Sequence, residues 1–280
     1  MTQQLNWINR HRLLSVVCAY LLGLVLIAVF YPILSSVDPT AFDPNTLLIP
    51  HAPSSQHLFG TDELNRDIFS RIMVGSRISL MVGLIAVSIS SSLGALVGLI
   101  SGYFGGIIDE ILMRFVDIMI AIPSIFLILT LQIILEPRIE TVMIVIGLTG
   151  WMGVSRLVRA EVLKVKELPF VTAAKARGLS GRRIMIRYIF PQTLQPILVA
   201  STLGLGYAIL TEAVLSFLGL GVQPPHPSWG NMLQNSLAYL SEAPWMSIFP
   251  GIFITLTVLS FNILGDAMQK FMIKQNYANN

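Results

Sequence analysis

The sequence predicts an all-α membrane protein built from six transmembrane helices. Hydrophobic residues make up 54% of the 280 positions, whereas Asp, Glu, Lys and Arg together make up only 12%. Soluble domains carry about 25% charged residues. Such a chain has too little polar surface to cover a globule, so lipid has to solvate part of it. Soluble, disordered and fibrous proteins are therefore excluded.

The six helices follow from long runs that carry few or no charged residues. A helix needs about 20 apolar residues to cross the hydrocarbon core. In chain order, the predicted spans are 13–34, roughly the first 25 residues of 78–108, then 115–135, 141–155, 194–220 and 245–264. The first run is too long for a signal peptide and no cleavage site follows it, so we expect it to remain as an anchor. The fourth run spans only if Arg156 and Arg159 extend to the interface.

Basic residues predict the orientation of these helices. If the N-terminus is cytoplasmic, 14 of the 18 Lys and Arg residues lie inside and only four lie outside. Cytoplasmic loops of membrane proteins are enriched in Lys and Arg. We therefore expect both termini in the cytoplasm.

The second predicted helix has one face of small residues that recur every four positions. They are Ala86, Ser90, Gly94, Gly98, Gly102 and Gly106. Small residues at this spacing allow two helix backbones to approach closely in lipid. The partner is either another helix of this chain or a second subunit.

The outer connection, residues 35–77, is predicted to be irregular at first and helical at its end. Thr61 or Asp62 can cap a helix, and Asp67 with Arg71 forms an i,i+4 pair. The pattern predicts a short interfacial helix over 61–77, which either caps the bundle or admits substrate. The chain then divides into an anchor with the start of the outer loop (1–60), this helix (61–77), a transmembrane core (78–266) and a cytoplasmic tail (267–280).

The inner segment 156–191 contains nine Lys and Arg residues, which the cytoplasmic location largely explains. The residues that can begin and end helices within this segment are more informative. Pro169 can open a helix and Gly178 can close it, and Ser180 can start a second helix that reaches Pro191. The predicted outward face of the first helix holds Phe170, Ala173, Ala174 and Arg177. Such a face suits a groove on a partner protein, or alternatively the lipid headgroups.

One stretch of this segment resembles a known motif. The sequence FVTAAKARG at 170–178, with Pro191 thirteen residues after the glycine, is similar to the "EAA" loop of bacterial ABC-importer permeases, although Thr172 stands where many members have Glu. That loop docks on the ATPase. The resemblance assigns ATPase coupling to Phe170, Val171, Thr172, Ala173, Ala174, Arg177, Gly178 and Pro191.

Four further motifs narrow the resemblance. They are HLFGTD at 57–62 with RDIFSR at 66–71, LSFLGLGVQPP at 215–225, PSWG at 227–230, and NILGD at 262–266. Together they resemble the second, C-type permease of the dipeptide, oligopeptide and nickel transporters, although Asn65 replaces the usual Gly. The outer motif residues are Gly60, Thr61, Asp62, Arg66 and Asp67.

The resemblance implies a fold, a function and a set of partners. The fold is a MetI-like permease core, and the chain forms half of a path for peptides, a nickel chelate or a similar small solute. The partners are a homologous second permease in a heterodimer, two ATP-binding subunits and an external substrate-binding protein, all at a bacterial inner membrane. No nucleic acid is expected.

The chain itself lacks the signals of a nucleotide or metal site. No G-x-x-x-x-G-K-[ST] motif occurs, so we expect ATP and Mg²⁺ on the partner subunits and no cofactor here. One cysteine and four scattered histidines predict no metal cluster.

Two carboxylates inside the predicted spans are candidates for the path or its gate. Asp117 either pairs with a base such as Arg114 or lines the path, and Glu212 either bonds between helices or serves the path or gate. We also expect Pro123 to kink the third helix. Trp229, Trp245 and Tyr239 are expected in an outer aromatic belt.

Two other classes of protein remain as alternatives. An ion-coupled secondary transporter would show matching halves with discontinuous helices and more buried charge. An intramembrane enzyme would need a catalytic motif, and neither G-x-S-x-G nor H-E-x-x-H occurs.

Overall fold

The computed structural model describes residues 2–35 and 49–278, with side chains for 12–35 and 49–272. Within these residues the regular structure is helical, and one isolated bridge joins Thr61 to Asp67. The elements are α1 (Thr2–Leu34), α2 (Ile68–Phe104), α3 (Gly106–Ala121), α4 (Ser124–Leu135), α5 (Ile139–Val165), α6 (Pro169–Ala176), α7 (Gly181–Ile184), a π-helical turn (Met185–Ile189), α8 (Phe190–Phe217), α9 (Trp229–Ser236), a 3₁₀ turn (Leu237–Tyr239) and α10 (Trp245–Ala278). Most of the stretch predicted to be irregular after α1 lies outside the described residues.

The predicted six-span bundle agrees with these helices. Five helical runs among the described residues are long and apolar enough to cross a membrane: α1, α2, α5, the run Gly181–Phe217, and α10. The pair α3 and α4 qualifies as a sixth, broken span, with an 84° bend between its halves. The predicted cytoplasmic tail is a continuation of α10 up to Ala278.

The third predicted helix is broken rather than kinked. Ile122 has an extended backbone (φ −87°, ψ 122°) and ends α3, and Pro123 precedes α4. A residue before proline avoids the helical region, and proline itself lacks the N–H that would continue the ladder. The break lets α4 leave the direction of α3.

The fourth predicted helix is longer than expected, because its basic residues have carboxylate partners. α5 has 27 residues and continues past Arg156 and Arg159 to Val165. Arg159 makes two 2.6 Å hydrogen bonds to Asp109 on α3, and Arg156 makes one of 2.5 Å to Asp117. Paired arginines need not extend to the interface, so the charges do not end the helix.

α2 and α5 of the same chain form the close-packed centre of the bundle. A Cβ placed on Gly94 would lie 2.7 Å from the carbonyl oxygen of Trp151, and one on Gly98 would lie 2.5 Å from that of Ser155. The small-residue face of α2 therefore packs within the chain. Gly106 does not belong to this face because it begins α3.

The predicted interfacial helix at 61–77 is wrong. Residues 61–67 form a tight turn, and α2 begins at Ile68, so residues 68–77 are the first ten residues of a helix long enough to span a membrane. Asp67 caps this helix, since its carboxylate accepts from Ser70 N at 2.8 Å. The Asp62 carboxylate is occupied within the turn, where it accepts from the backbone N–H groups of Leu64 and Arg66.

Candidate functional site

The short helix α6 packs on one end of the bundle with one face and leaves the opposite face exposed. Val171 is fully buried and Ala174 is 3% exposed. They contact the apolar cluster that includes Val162 and Val165 of α5 and Leu99 of α2. The buried face of α6 therefore belongs to the same apolar cluster as residues of the two central helices.

The outward face of α6 lacks one of the predicted residues and includes others that were not predicted. Thr172, Ala173 and Arg177 are exposed, as is Phe170 at the edge of the face. Ala174, which was predicted beside them, points into the bundle. Val171 and Ala174 lie three residues apart, which places both on one side of the helix. Lys175 and Ala176 are exposed as well, so the free face combines the small side chains of Thr172, Ala173 and Ala176 with three larger ones.

Gly178 ends this helix through its backbone conformation. Its φ is +73°, its N–H donates to Lys175 O at 2.9 Å, and the next N–H, of Leu179, reaches Ala174 O at 3.3 Å. No atom lies within 4 Å of a Cβ built on Gly178. The requirement for glycine is therefore conformational rather than steric.

In place of the single second helix predicted from Ser180 to Pro191, the structure has three consecutive elements. α7 passes into the π-helical turn, and α8 has already begun at Phe190, so Pro191 lies in the first turn of α8. Proline fits there because the first N–H groups of a helix have no partner within it. An open cleft of about 350 Å³ beside α7 is lined by Ser180, Arg182, Arg183, Ile186 and Arg187.

The outer motif residues form one hydrogen-bonded turn at the start of α2. The Asp62 carboxylate lies 2.7 Å from Arg66 Nε and 3.3 Å from Arg71 Nε. The predicted pair between Asp67 and Arg71 is therefore replaced, and Asp67 instead lies 3.1 Å from Nδ1 of His57. Gly60 adopts φ +75° and packs tightly against Trp245. Burial and the neighbouring Asp62 carboxylate raise the pKa of Glu63 in this turn.

The two candidate path residues lie in different environments. Asp117 is 60% exposed and pairs with Arg156, whereas Arg114, its expected partner, pairs with Glu110 at 3.0 Å. Asp117 thus pairs with a base, which matches the pairing alternative, but the base is Arg156 rather than Arg114 because α5 continues past Arg156 and brings it beside α3. Glu212 is fully buried and accepts hydrogen bonds from serines of α2 and α8, which matches the interhelical alternative.

Trp229 does not belong to an aromatic belt. It is fully buried, and its indole Nε1 donates to Ile72 O at 3.2 Å. Trp245 Nε1 likewise donates to Thr61 O at 3.2 Å. Trp229 thus joins α9 to α2, and Trp245 joins α10 to the turn that precedes α2, because the N–H of a tryptophan removed from water needs a protein acceptor.

Two polar features, one partly and one fully buried, were not predicted from the sequence. The first is the Asp109–Arg159 pair, which also engages Ser101. The sequence signal for this pair was the position of its two charged residues, since Asp109 follows the apolar run 78–108 and Arg159 follows the run 141–155. The second is Gln132 on α4, fully buried, whose amide atoms have no hydrogen-bond partner among the described residues. Its only signal was an amide inside an apolar run.

No group of three His, Cys, Asp or Glu side chains capable of holding a metal ion occurs in the part of the chain that was described. The absence of a resident metal remains a prediction.

The five or six apolar spans among the described residues define a multi-pass membrane protein. Residues 94–275 match the family described as "Binding-protein-dependent transport system inner membrane component". The chain belongs to this family and is a permease subunit of an ABC importer. The resemblance seen in its motifs is confirmed, and the ion-coupled secondary transporter is not supported.

Several curated relatives cover most of the chain. It is 42% identical over 262 residues to the dipeptide transport system permease protein DppC of Alkalihalophilus pseudofirmus, covering 94% of this chain and 86% of the relative. It is 40% identical over 246 residues to the oligopeptide transport system permease protein OppC of Bacillus subtilis, covering 88% and 80%. A probable D,D-dipeptide permease, DdpC of Escherichia coli, is 38% identical over 270 residues, covering 96% and 90%.

Solved structures support the same fold. The inward-facing MetNI methionine ABC transporter matches with a TM-score of 0.56 at 17% identity, covering 72% of this chain and 95% of the other. An amino acid ABC transporter matches with a TM-score of 0.52 at 16% identity, covering 72% and 92%. The MetI-like core is therefore confirmed.

Proposed function

We propose that this chain forms half of the translocation path of an importer for peptides, and that separate ATPase subunits drive it by docking on α6. The two-faced packing of α6 is the observation that carries the proposal. Its buried face packs in a cluster with residues of α2 and α5, and its exposed face, which has the small Ala173 at its centre, is free to contact another protein. The dipeptide and oligopeptide names of the relatives support a peptide as the solute.

The apolar contacts make α6 suitable for transmitting force. Val171 and Ala174 share a buried cluster with the inner ends of α2 and α5, and only residues 166–168 separate α6 from α5. A packed apolar interface moves as a unit rather than deforming continuously. Closure of the ATPases around ATP would thus tilt the central helices and shift the path between inward-open and outward-open states.

The remaining partners complete the importer. We propose a homologous second permease, an external substrate-binding protein and two ATP-binding subunits that carry ATP and Mg²⁺. Exposed apolar side chains along α3 and α4, among them Ile118, Phe126 and Ile133, offer surface to lipid or to the second permease. The distribution of basic residues supports a bacterial inner membrane location with both termini cytoplasmic.

A bulky residue at the centre of the outward face tests the docking. Ala173→Trp should hold α6 away from its groove while leaving the buried contacts of Val171 and Ala174 intact. We expect the complex to lose at least about tenfold in ATP-dependent dipeptide uptake, since one misplaced contact of about 1.4 kcal/mol corresponds to that factor. The measurement is uptake into proteoliposomes holding the full complex and a loaded binding protein.

The control is Ala173→Ser, which keeps the face small and should retain uptake. Ala174→Trp is a poor test, because it would disrupt the chain's own packing at a position only 3% exposed. Full uptake by Ala173→Trp would show that the ATPase does not dock on this face.

A further inference from the structure

A fully buried carboxyl group lies where α2 and α8 meet the segment leading into α9. The carboxyl belongs to Glu212, which is 0% exposed. Ser79 Oγ donates to its Oε2 at 3.1 Å, and Ser216 Oγ donates to its Oε1 at 2.7 Å. The hydroxyl of Ser228 also bonds to it. These serines come from α2, from α8 and from the N-terminal cap of α9, so one carboxyl joins three elements.

Each serine also accepts a hydrogen bond from the chain between α8 and the first turn of α9. We call residues 218–231 the outer segment. Three of its backbone N–H groups donate to the three hydroxyls: Val222 to Ser216 at 2.9 Å, Trp229 to Ser79 at 3.4 Å, and Asn231 to Ser228 at 3.2 Å. A hydroxyl can donate and accept at once, and linked hydrogen bonds strengthen one another. Glu212 thereby holds three backbone groups of the outer segment through one relay.

Two glycines allow the outer segment to lie directly on α8. A Cβ on Gly221 would overlap the Ser216 hydroxyl, and one on Gly230 would lie 2.6 Å from Ala213 Cα. Side chains at these positions would push the segment off the helix and lengthen the relay bonds. The close packing is thus a second, independent sign that the segment is fixed to α8.

The outer segment lies far from α6. α8 begins beside the inner elements at Phe190 and has 28 residues, which at 1.5 Å per residue span about 42 Å. A displacement imposed on α8 at its inner end reaches the outer segment only if that segment moves with the helix. The relay provides this attachment.

We propose that Glu212 is a positioning residue of the outer gate: its serine relay makes the outer segment move as one body with α2 and α8. This inference rests on the proposed function, because it makes the outer end of the path respond to events at α6. Glu212 acts through the serines and touches no solute in this arrangement, since it has no exposed surface. A purely structural role would stabilise the bundle without linking its two ends.

The test compares serines one turn apart on α2. Ser79→Ala removes a relay hydroxyl, and Glu212→Gln replaces one acceptor oxygen by a group that cannot accept. Ser76→Ala is the matched control, because Ser76 is also fully buried but its hydroxyl bonds to its own helix, at Met73 O. The full permease and ATPase complex is used, with its binding protein.

Two readouts are measured on each variant. The first is amide hydrogen exchange of peptides covering 218–236, which we expect to be about tenfold faster in Ser79→Ala and Glu212→Gln and unchanged in Ser76→Ala. The second is the ratio of ATP hydrolysis with loaded binding protein to basal hydrolysis. We expect this ratio to fall at least about threefold in the two relay variants, and no further in the double variant, because both act through one relay.

The two readouts separate the possible failures. Unchanged exchange in both relay variants overturns the anchoring. Faster exchange with a wild-type stimulation ratio means that Glu212 only stabilises the bundle, which overturns the positioning role. If the wild-type complex shows no ATP-driven import at all, the proposed function fails, and the exchange result still decides whether the relay holds the outer segment.

Discussion

The close contact between α2 and α5 allows a sharp prediction at Gly98. A Cβ there would lie 2.5 Å from Ser155 O, 2.8 Å from Val158 Cβ and 2.9 Å from Arg159 N, whereas ordinary contacts begin at 3.4 Å. Two of these three neighbours are backbone atoms of α5, which cannot rotate away. Gly98→Ala therefore requires the helix axes to separate locally by about 0.9 Å, and overpacking of this kind costs about 1–3 kcal/mol.

The control for this substitution lies on α5. Gly153 has no atom within 4 Å of a built Cβ, so Gly153→Ala should stabilise its helix by about 1 kcal/mol through helix propensity alone. Gly98→Ala gains the same helix propensity, but its added methyl group overlaps the backbone of α5. Thermal unfolding in detergent should place Gly98→Ala several degrees below wild type and Gly153→Ala at or above it. Equal melting temperatures for the two variants would refute the reasoning.

Two further predictions concern charged groups. Asp109→Asn removes the negative charge and one of the two oxygens that accept 2.6 Å hydrogen bonds from the partly buried Arg159, which should cost about 1–2 kcal/mol. Glu110→Gln, in an exposed pair, should cost under about 0.5 kcal/mol; equal melting temperatures of the two variants would contradict this. The pKa of Glu63 is raised above its ordinary 4.5, so its stability contribution is present at low pH and is lost as pH rises through the folded pKa. Glu63→Gln should therefore weaken that loss, as melting temperatures between about pH 4 and pH 8 would show; an unchanged pH profile would contradict it.

Local signals in the sequence were sufficient to predict structure where a residue acts through its own backbone conformation. As predicted, α6 begins at Pro169, and it ends at Ala176, two residues before Gly178. Proline and glycine fix dihedral angles whatever surrounds them. The small-residue face of α2 was likewise visible as a pattern, although the pattern could not identify α5 as its partner.

Sequence reasoning failed where a side chain serves a distant part of the chain. Asp62 has the properties of a helix cap, but it folds back onto Arg66 and Arg71, and Asp67 caps the helix instead. Asp117 was paired with a base on its own helix, yet the continuation of α5 supplies Arg156. Local propensity yields to such tertiary contacts, and one sequence does not reveal which distant groups meet.

The source of energy for uptake tests the central claim most directly. Proteoliposomes containing this chain, its partner permease, the ATPase subunits and a loaded binding protein would be supplied with ATP, with a non-hydrolysable ATP analogue, or with ATP and ionophores that collapse ion gradients. The account predicts dipeptide uptake with ATP, no sustained uptake with the analogue, and uptake that persists with ionophores. Uptake that continues with the analogue and stops with ionophores would contradict it.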